Sequence, residues 1–275
     1  MASASLATAA CLSAIAGCAQ TGTPAGVTEP DRSPVIVAAL GDSITRGYGL
    51  CGGWGDCPAA SWATGTQAEV ASHSARLEAA DGVVRRVHNL AVSGATVAML
   101  ETQARQAVAV GADYVTVLIG GNDACAQSEA AMTPTRRFAE RFGVALATLT
   151  EGLPEARILV VSIPDLHRLW LVGKDDERVV ETWRRVRVCQ SMLANPTSNA
   201  AEDRRRRVRV RDRVAAYNEV MAALCARHDR CRWDGNAVFE QAFPLEAVNP
   251  RDYWHPSLDG QRRLAQVAWE AGFFD

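Results

Sequence analysis

The stretch Val35-Ile36-Val37-Ala38-Ala39-Leu40-Gly41-Asp42-Ser43-Ile44-Thr45 opens with six apolar residues and breaks at a glycine and an aspartate. A short uncharged run bounded by turn residues reads as a strand buried on both faces, and Ser43 falls in the turn just past its end. Residues 83–92, 114–119 and 157–162 are further strand candidates with buried, β-branched content, and longer helical patterns separate them. In 135–150, Phe138, Phe142, Ala145, Leu146 and Leu149 share one helical face, and Pro134 suits its first turn. This alternation predicts an α/β fold, a three-layer α/β/α sandwich around a central parallel sheet of about five strands. Functional residues of such sheets gather in loops at the carboxyl ends of the strands. Ser43, Gly94 and Asn122 each fall just beyond a predicted strand.

The chain has 275 residues, 48% hydrophobic and 22% charged, which suits one large globular domain. A net charge of −2 gives no whole-chain reason to expect nucleic acid or an anionic membrane surface as partner. Residues 1–18 are read as a signal peptide. They end in Ile15-Ala16-Gly17-Cys18, similar to the lipobox of bacterial lipoproteins, in which Cys18 is lipidated. No Lys or Arg precedes the apolar stretch, so a cleaved secretory signal remains the alternative to a lipid anchor. Residues 19–33, with Pro24, Gly26, Pro30 and Ser33, read as a flexible linker, and the folded domain is expected over 34–275.

Beyond Cys11 and Cys18 stand Cys51, Cys57, Cys125, Cys189, Cys225 and Cys231. The even number and the two short spacings read as disulfides of an exported protein, paired sequentially as Cys51–Cys57, Cys125–Cys189 and Cys225–Cys231. The arginine-dense run 204–213 reads as the solvated start of a helix, with Asp203 and Asp212 offsetting part of its charge. His73, His88, His167 and His228 share no ligand spacing and are taken as structural or surface residues, and no metal or organic cofactor is expected.

A serine hydroxyl is a poor nucleophile at neutral pH unless an imidazole accepts its proton and an acid orients the imidazole. Ser43 is the candidate nucleophile, and Asp252-Tyr253-Trp254-His255-Pro256 offers His255 as base and Asp252 as acid. Asp42 and Asp123 are expected to fix turns. Asp165-Leu166-His167 lacks a serine partner in comparable context. Trp54, Trp62 and Trp254 flank the site in sequence, as pocket lining or as ordinary packing.

Taken together and in order, Gly41-Asp42-Ser43, Gly94, Gly120-Gly121-Asn122-Asp123 and Asp252-Tyr253-Trp254-His255 resemble the motifs of the SGNH hydrolases, also called GDSL esterases and lipases. The resemblance covers residues 34 to 275. It implies a flavodoxin-like α/β/α domain, an acyl-enzyme on Ser43 and an oxyanion hole built from the Ser43 and Gly94 backbone N–H groups and the Asn122 side chain. In some secreted relatives a backbone carbonyl takes the place of the acid, which leaves Asp252 with an alternative. The three disulfides are also similar to those of secreted lipases.

The blocks Ser61-Trp62-Ala63-Thr64-Gly65 and 117–123 look like the phospholipase B-like and secreted actinobacterial branches. The implied reaction is carboxylic ester hydrolysis without a cofactor, with phospholipid or other acyl esters favoured. Short-chain or carbohydrate acetyl esters are the alternative substrates, and an inactive hydrolase-fold binding module or an acyltransferase is the alternative function. A small-molecule or lipid ester is the expected partner of a monomer. Membrane attachment would be through an N-terminal lipid.

Overall fold

A computed structural model describes residues 35–81 and 84–274, together with Met1 and Ala2. The expectations for the leader, for Cys18 and for the linker lie outside the described residues. The chain divides into Met1–Arg32 and Ser33–Asp275, and the second unit carries every element that follows.

Strand β1 (Val35–Gly41) pairs in parallel with β2 (Val84–Asn89) on one side and β3 (Tyr114–Leu118) on the other. Beyond β3 lie β4 (Arg157–Val160) and β5 (Cys231–Trp233), so the order is β2-β1-β3-β4-β5. The helices are α1 (His73–Asp81), α2 (Val97–Val110), α3 (Gly121–Ala124), α4 (Thr135–Gly152), α5 (Leu166–Gly173) and α6 (Glu177–Val186). They continue with α7 (Gln190–Leu193), α8 (Ala201–Cys225), α9 (Ala237–Glu240) and α10 (Leu258–Glu270).

Successive strand residues point to opposite faces of a sheet, and on β1, β3 and β4 both faces are apolar, whereas β2, expected to be buried, is an edge strand exposed at Arg85, Arg86 and Val87. Ala38, Leu40, Val115, Val117, Ile158 and Val160 pack against α2, α4 and α8, and Phe138, Phe142, Val214 and Tyr217 fill that layer. Val37, Ala39, Tyr114, Leu118 and Leu159 face the other way, against Leu77 of α1 and Leu264, Ala265 and Ala268 of α10. The result is the three-layer sandwich that the apolar runs imply.

The five apolar positions expected on one face of α4 are all buried. Pro134 stands at the N-cap, one position before the first turn. The fourth strand stops at Val160 because the Ser162 N–H and hydroxyl turn to the Asp234 carboxylate, at 3.0 and 2.6 Å. Residues 166–199, which sequence alone leaves undefined, form α5, α6 and α7. Asp165 and Asp176 cap the first two of these by accepting N–H groups of the opening turn.

The arginine run lies within α8, but it is not uniformly solvated. Arg207 is 1% exposed, with its guanidinium 4.2 Å from the Trp170 ring centroid and bonded to the carbonyls of Ser198 and Asn195 at 3.0 and 2.7 Å. Arg206 bonds the Met192 carbonyl at 3.0 Å, at the end of α7. His73 is fully buried, between the Tyr114 hydroxyl at 2.8 Å and the Ala265 carbonyl at 3.1 Å. Burial pushes its pKa down to about 3, so it is a neutral tie between the sheet and α10.

The structure bonds Cys51 to Cys57, Cys125 to Cys189 and Cys225 to Cys231. The last pair tethers the three-residue edge strand β5 to the end of α8.

Candidate active site

In a parallel sheet with this strand order, the chain leaves β1 toward β2 and later returns to β3, which opens a crevice at the carboxyl ends of β1 and β3. Ser43 follows β1, Gly94 lies beyond β2 and Asn122 follows β3. Crossover geometry alone therefore gathers three distant segments at one rim.

The Ser43 turn is held from several sides. Gly41 has φ +151°, and an added Cβ would lie 2.4 Å from the Leu118 carbonyl oxygen, so only glycine fits. Its N–H donates to Gln103 Oε1 at 2.8 Å and its carbonyl accepts from Gln103 Nε2 at 2.9 Å. Asp42 accepts the Ile44 N–H at 2.9 Å, as a turn-fixing aspartate should. Gln261 of α10 donates to the Ile44 carbonyl at 2.8 Å. Trp62 is fully buried and donates to Thr45 Oγ1 at 3.2 Å, so it is packing rather than pocket lining. Burial raises the Asp42 pKa to about 6, although the Ile44 N–H and the nearby His255 favour its charged form.

His255 approaches from the loop before α10. Asn249 receives the Tyr253 N–H at 2.8 Å and donates its own N–H to the His255 carbonyl at 2.8 Å. The Trp183 indole of α6 donates to the Tyr253 carbonyl at 2.8 Å. This loop places His255 Nε2 2.8 Å from Ser43 Oγ and His255 Nδ1 2.6 Å from Asp252 Oδ2. The other Asp252 oxygen accepts the N–H groups of Trp254 and His255, at 2.9 and 3.1 Å. A carboxylate only accepts, so Nδ1 carries the hydrogen and the Nε2 lone pair faces the serine hydroxyl. The Tyr48 ring packs against the imidazole with centroids 4.7 Å apart.

The N–H groups of Ser43 and Gly94 have no acceptor among the described residues. Gly94 adopts φ +82° with open space where a Cβ would stand, so the turn requires glycine for its backbone angle and not to avoid a clash. Asn122 Nδ2 donates one hydrogen to the Ala95 carbonyl at 2.9 Å, which aims the amide and leaves its second hydrogen over. Asp123 accepts the Val97 N–H at 2.9 Å and the Thr133 hydroxyl at 2.8 Å, and burial raises its pKa. The Gly120–Asp123 block thus fastens the loop that follows Gly94.

These groups line a cleft of about 470 Å³ that also includes Trp54, Cys125, Gln127, Trp254 and the 186–189 segment. An apolar pocket of about 80 Å³ adjoins it at Trp254, lined by Ile44, Ile163, Leu166, Leu169 and Phe243 among others. Asp165 caps α5 and receives Arg211 Nε at 2.8 Å, and it stands at the edge of this pocket. Sequence reading gave no sign of Gln103, Gln261 or Tyr48, because single residues of these types inside regular patterns carry no motif.

No curated protein matches this chain by sequence. Among solved structures, the chain is similar to an extracellular lipase from Streptomyces rimosus at 20% identity and TM-score 0.51, covering 86% of this chain and 99% of that one. A phospholipase A1 from Streptomyces albidoflavus shares 18% identity at TM-score 0.54, covering 87% and 100%. An acetylxylan esterase from Geobacillus stearothermophilus shares 19% identity at TM-score 0.53, covering 87% and 94%. At these identities the likeness is one of fold. The sequence profile of the GDSL-like lipase/acylhydrolase family matches residues 39–263, which include Ser43, Gly94, Asn122, Asp252 and His255. The chain belongs to the GDSL-like lipase/acylhydrolase family and is a serine hydrolase of ester bonds.

Proposed function

We propose that Ser43 is the nucleophile, His255 the general base and acid, and Asp252 the group that orients the imidazole. The observation that carries this reading is the continuous chain Ser43 Oγ, His255, Asp252, at 2.8 and 2.6 Å, on the wall of an open cleft. His255 Nε2 takes the hydroxyl proton as Ser43 Oγ bonds to the ester carbon, and the carbonyl electron pair moves to its oxygen. The Ser43 N–H, the Gly94 N–H and the second Asn122 hydrogen meet that charge. Collapse breaks the bond to the alkoxide, which leaves with the proton from His255. Water, activated by the same imidazole, then releases the acid and restores Ser43.

Acyl esters, phospholipids among them, are the proposed substrates, with the chain reaching the apolar pocket beside Trp254 and the alcohol in the polar cleft. A short acyl group is a second reading, favoured by the pocket's volume of about 80 Å³. The structural neighbours named above include both a phospholipase A1 and an acetylxylan esterase. Every member of the site comes from one chain, which suits a monomer. Three disulfides support an exported protein, with the lipid anchor on Cys18 or a cleaved signal as its two forms. Among the described residues no helix is long and apolar enough to cross a membrane.

Hydrolysis of p-nitrophenyl esters from acetyl to decanoyl tests both parts. Rates should fall by at least a thousandfold in Ser43→Ala, and equal rates in the two proteins would reject the nucleophile. The preferred chain length decides between the substrate readings. Membrane fractionation of wild type against Cys18→Ala decides the anchor.

A further inference from the structure

The cleft wall between α6 and α7 carries an arginine in an unfavourable backbone conformation. Arg187, the residue that ends α6, has φ +51°, a region where glycine is favoured and a side chain is strained. Cys189 has φ +48° and is bonded across the cleft wall to Cys125. One turn before Arg187, Trp183 ties α6 to the Tyr253 carbonyl, two residues before His255. The position of Arg187 is therefore fixed relative to the proposed base, and strained residues of this kind cluster at ligand-binding sites.

Its guanidinium is also uncommitted. Several nearby arginines are engaged: Arg178 with Asp176, Arg184 with the Thr197 hydroxyl, Arg206 with Asp203 and Arg207 with two carbonyls, while the exposed Arg185 is also unpaired among the described residues but does not line the cleft. Arg187 has no side-chain partner among the described residues. It lines the 470 Å³ cleft together with Ser43 and His255, and it also lines a polar cavity of about 560 Å³ beside it. Among the described residues, the one carboxylate on the cleft wall, Asp252, is taken by His255.

We propose that Arg187 binds the phosphate of a glycerophospholipid ester, so that the cleft selects substrates bearing an anionic alcohol moiety. This rests on the ester-hydrolase reading of the same site. With the acyl chain in the apolar pocket beyond Trp254, the alcohol half of the ester occupies the cleft that Arg187 borders. The planar guanidinium donates two parallel N–H groups to phosphate oxygens, a match that a neutral glycan alcohol cannot make.

The test compares kcat/KM for 1-octanoylglycerol 3-phosphate, 1-octanoylglycerol and the octanoyl ester of glyceric acid. The proteins are wild type, Arg187→Lys and Arg187→Gly. Glycine suits φ +51°, so loss of folding does not confound the last variant. The phosphate-to-neutral preference should fall about tenfold in Arg187→Gly, mainly through KM, and be partly kept in Arg187→Lys. A preference that stays within about twofold of wild type overturns the assignment, as does a loss confined to the carboxylate ester. Equilibrium binding of octanoylglycerol 3-phosphate to Ser43→Ala, with and without Arg187→Gly, reads the contact without turnover. Absent hydrolysis with Arg187-dependent binding would sink the hydrolase reading alone, whereas binding indifferent to Arg187 would sink this one.

Discussion

Gln103 grips Gly41 by both of its backbone groups, accepting its N–H at 2.8 Å and donating to its carbonyl at 2.9 Å. Gln103 is 2% exposed and belongs to α2, so a helix on one face of the sheet sets the last residue of β1, two positions before Ser43. Gln103→Met keeps the shape and removes both bonds. It should lower kcat about tenfold or more with little change in KM, and cost about 1 to 3 kcal/mol of stability. Steady-state kinetics beside urea unfolding separates the two effects. A stability loss with unaltered kcat would mean that Gln103 does not position the nucleophile.

Asn122→Ala should lower kcat by about a hundredfold, near 3 kcal/mol of transition-state stabilisation, because one donor to the developing oxyanion is lost. The Ala95 carbonyl loses its partner as well, so the loop holding Gly94 should also loosen. A variant within threefold of wild type on a p-nitrophenyl ester would remove Asn122 from the oxyanion site.

Two buried groups oppose each other in acid. Asp42 is raised from 3.8 to about 6 by burial, so its contribution to stability is full below 3.8 and is lost as pH rises to about 6. His73 is lowered from 6.5 to about 3 by burial, so its contribution is full above 6.5 and is lost as pH falls toward 3. Asp42→Asn should therefore make acid destabilisation steeper between these limits, and His73→Gln should make it shallower. Unfolding free energies measured at several pH values, giving curves parallel to wild type for both variants, would contradict the two shifts.

Arg207→Met should destabilise the domain by about 2 to 4 kcal/mol, since two carbonyls, of Ser198 and Asn195, lose a buried donor. Arg205→Met, on an exposed side chain paired with Glu202, should cost under about 1 kcal/mol. Equal effects in chemical denaturation would restore the reading of the whole run as solvated.

The Cys125–Cys189 bond spans 64 residues and joins two segments of the cleft wall. Replacing both cysteines by serine should cost about 3 to 4 kcal/mol by the loop-entropy argument. Thermal unfolding of the oxidised and doubly substituted proteins tests it, and matching midpoints would exclude a stabilising bond.

The long apolar runs made β1, β3 and β4 legible, since strands buried on both faces leave a continuous mark in sequence. The fifth strand, Cys231–Trp233, is three residues long and half exposed, so no periodicity could announce it. Helix α6 was equally hidden, because its buried Val179, Val180 and Trp183 sit among charges that mimic a solvated loop. Arg207 misled for a related reason: charge runs normally face water, and only the tertiary fold brings Trp170 beneath it. The meeting of Ser43, Asp252 and His255 was readable because the motifs that carry them restrict residue type and order. Gln103 and Gln261 were not, since any donor and acceptor pair at those points would serve.

Ser43 and His255 stand 212 positions apart. If the two act as hydroxyl and proton acceptor, a cut anywhere between them removes one partner from the other and leaves Ser43 no more reactive than any other serine. The same separation makes the distance between these two atoms a gauge of whether the whole sandwich has closed, and hydrolysis a reporter of complete folding.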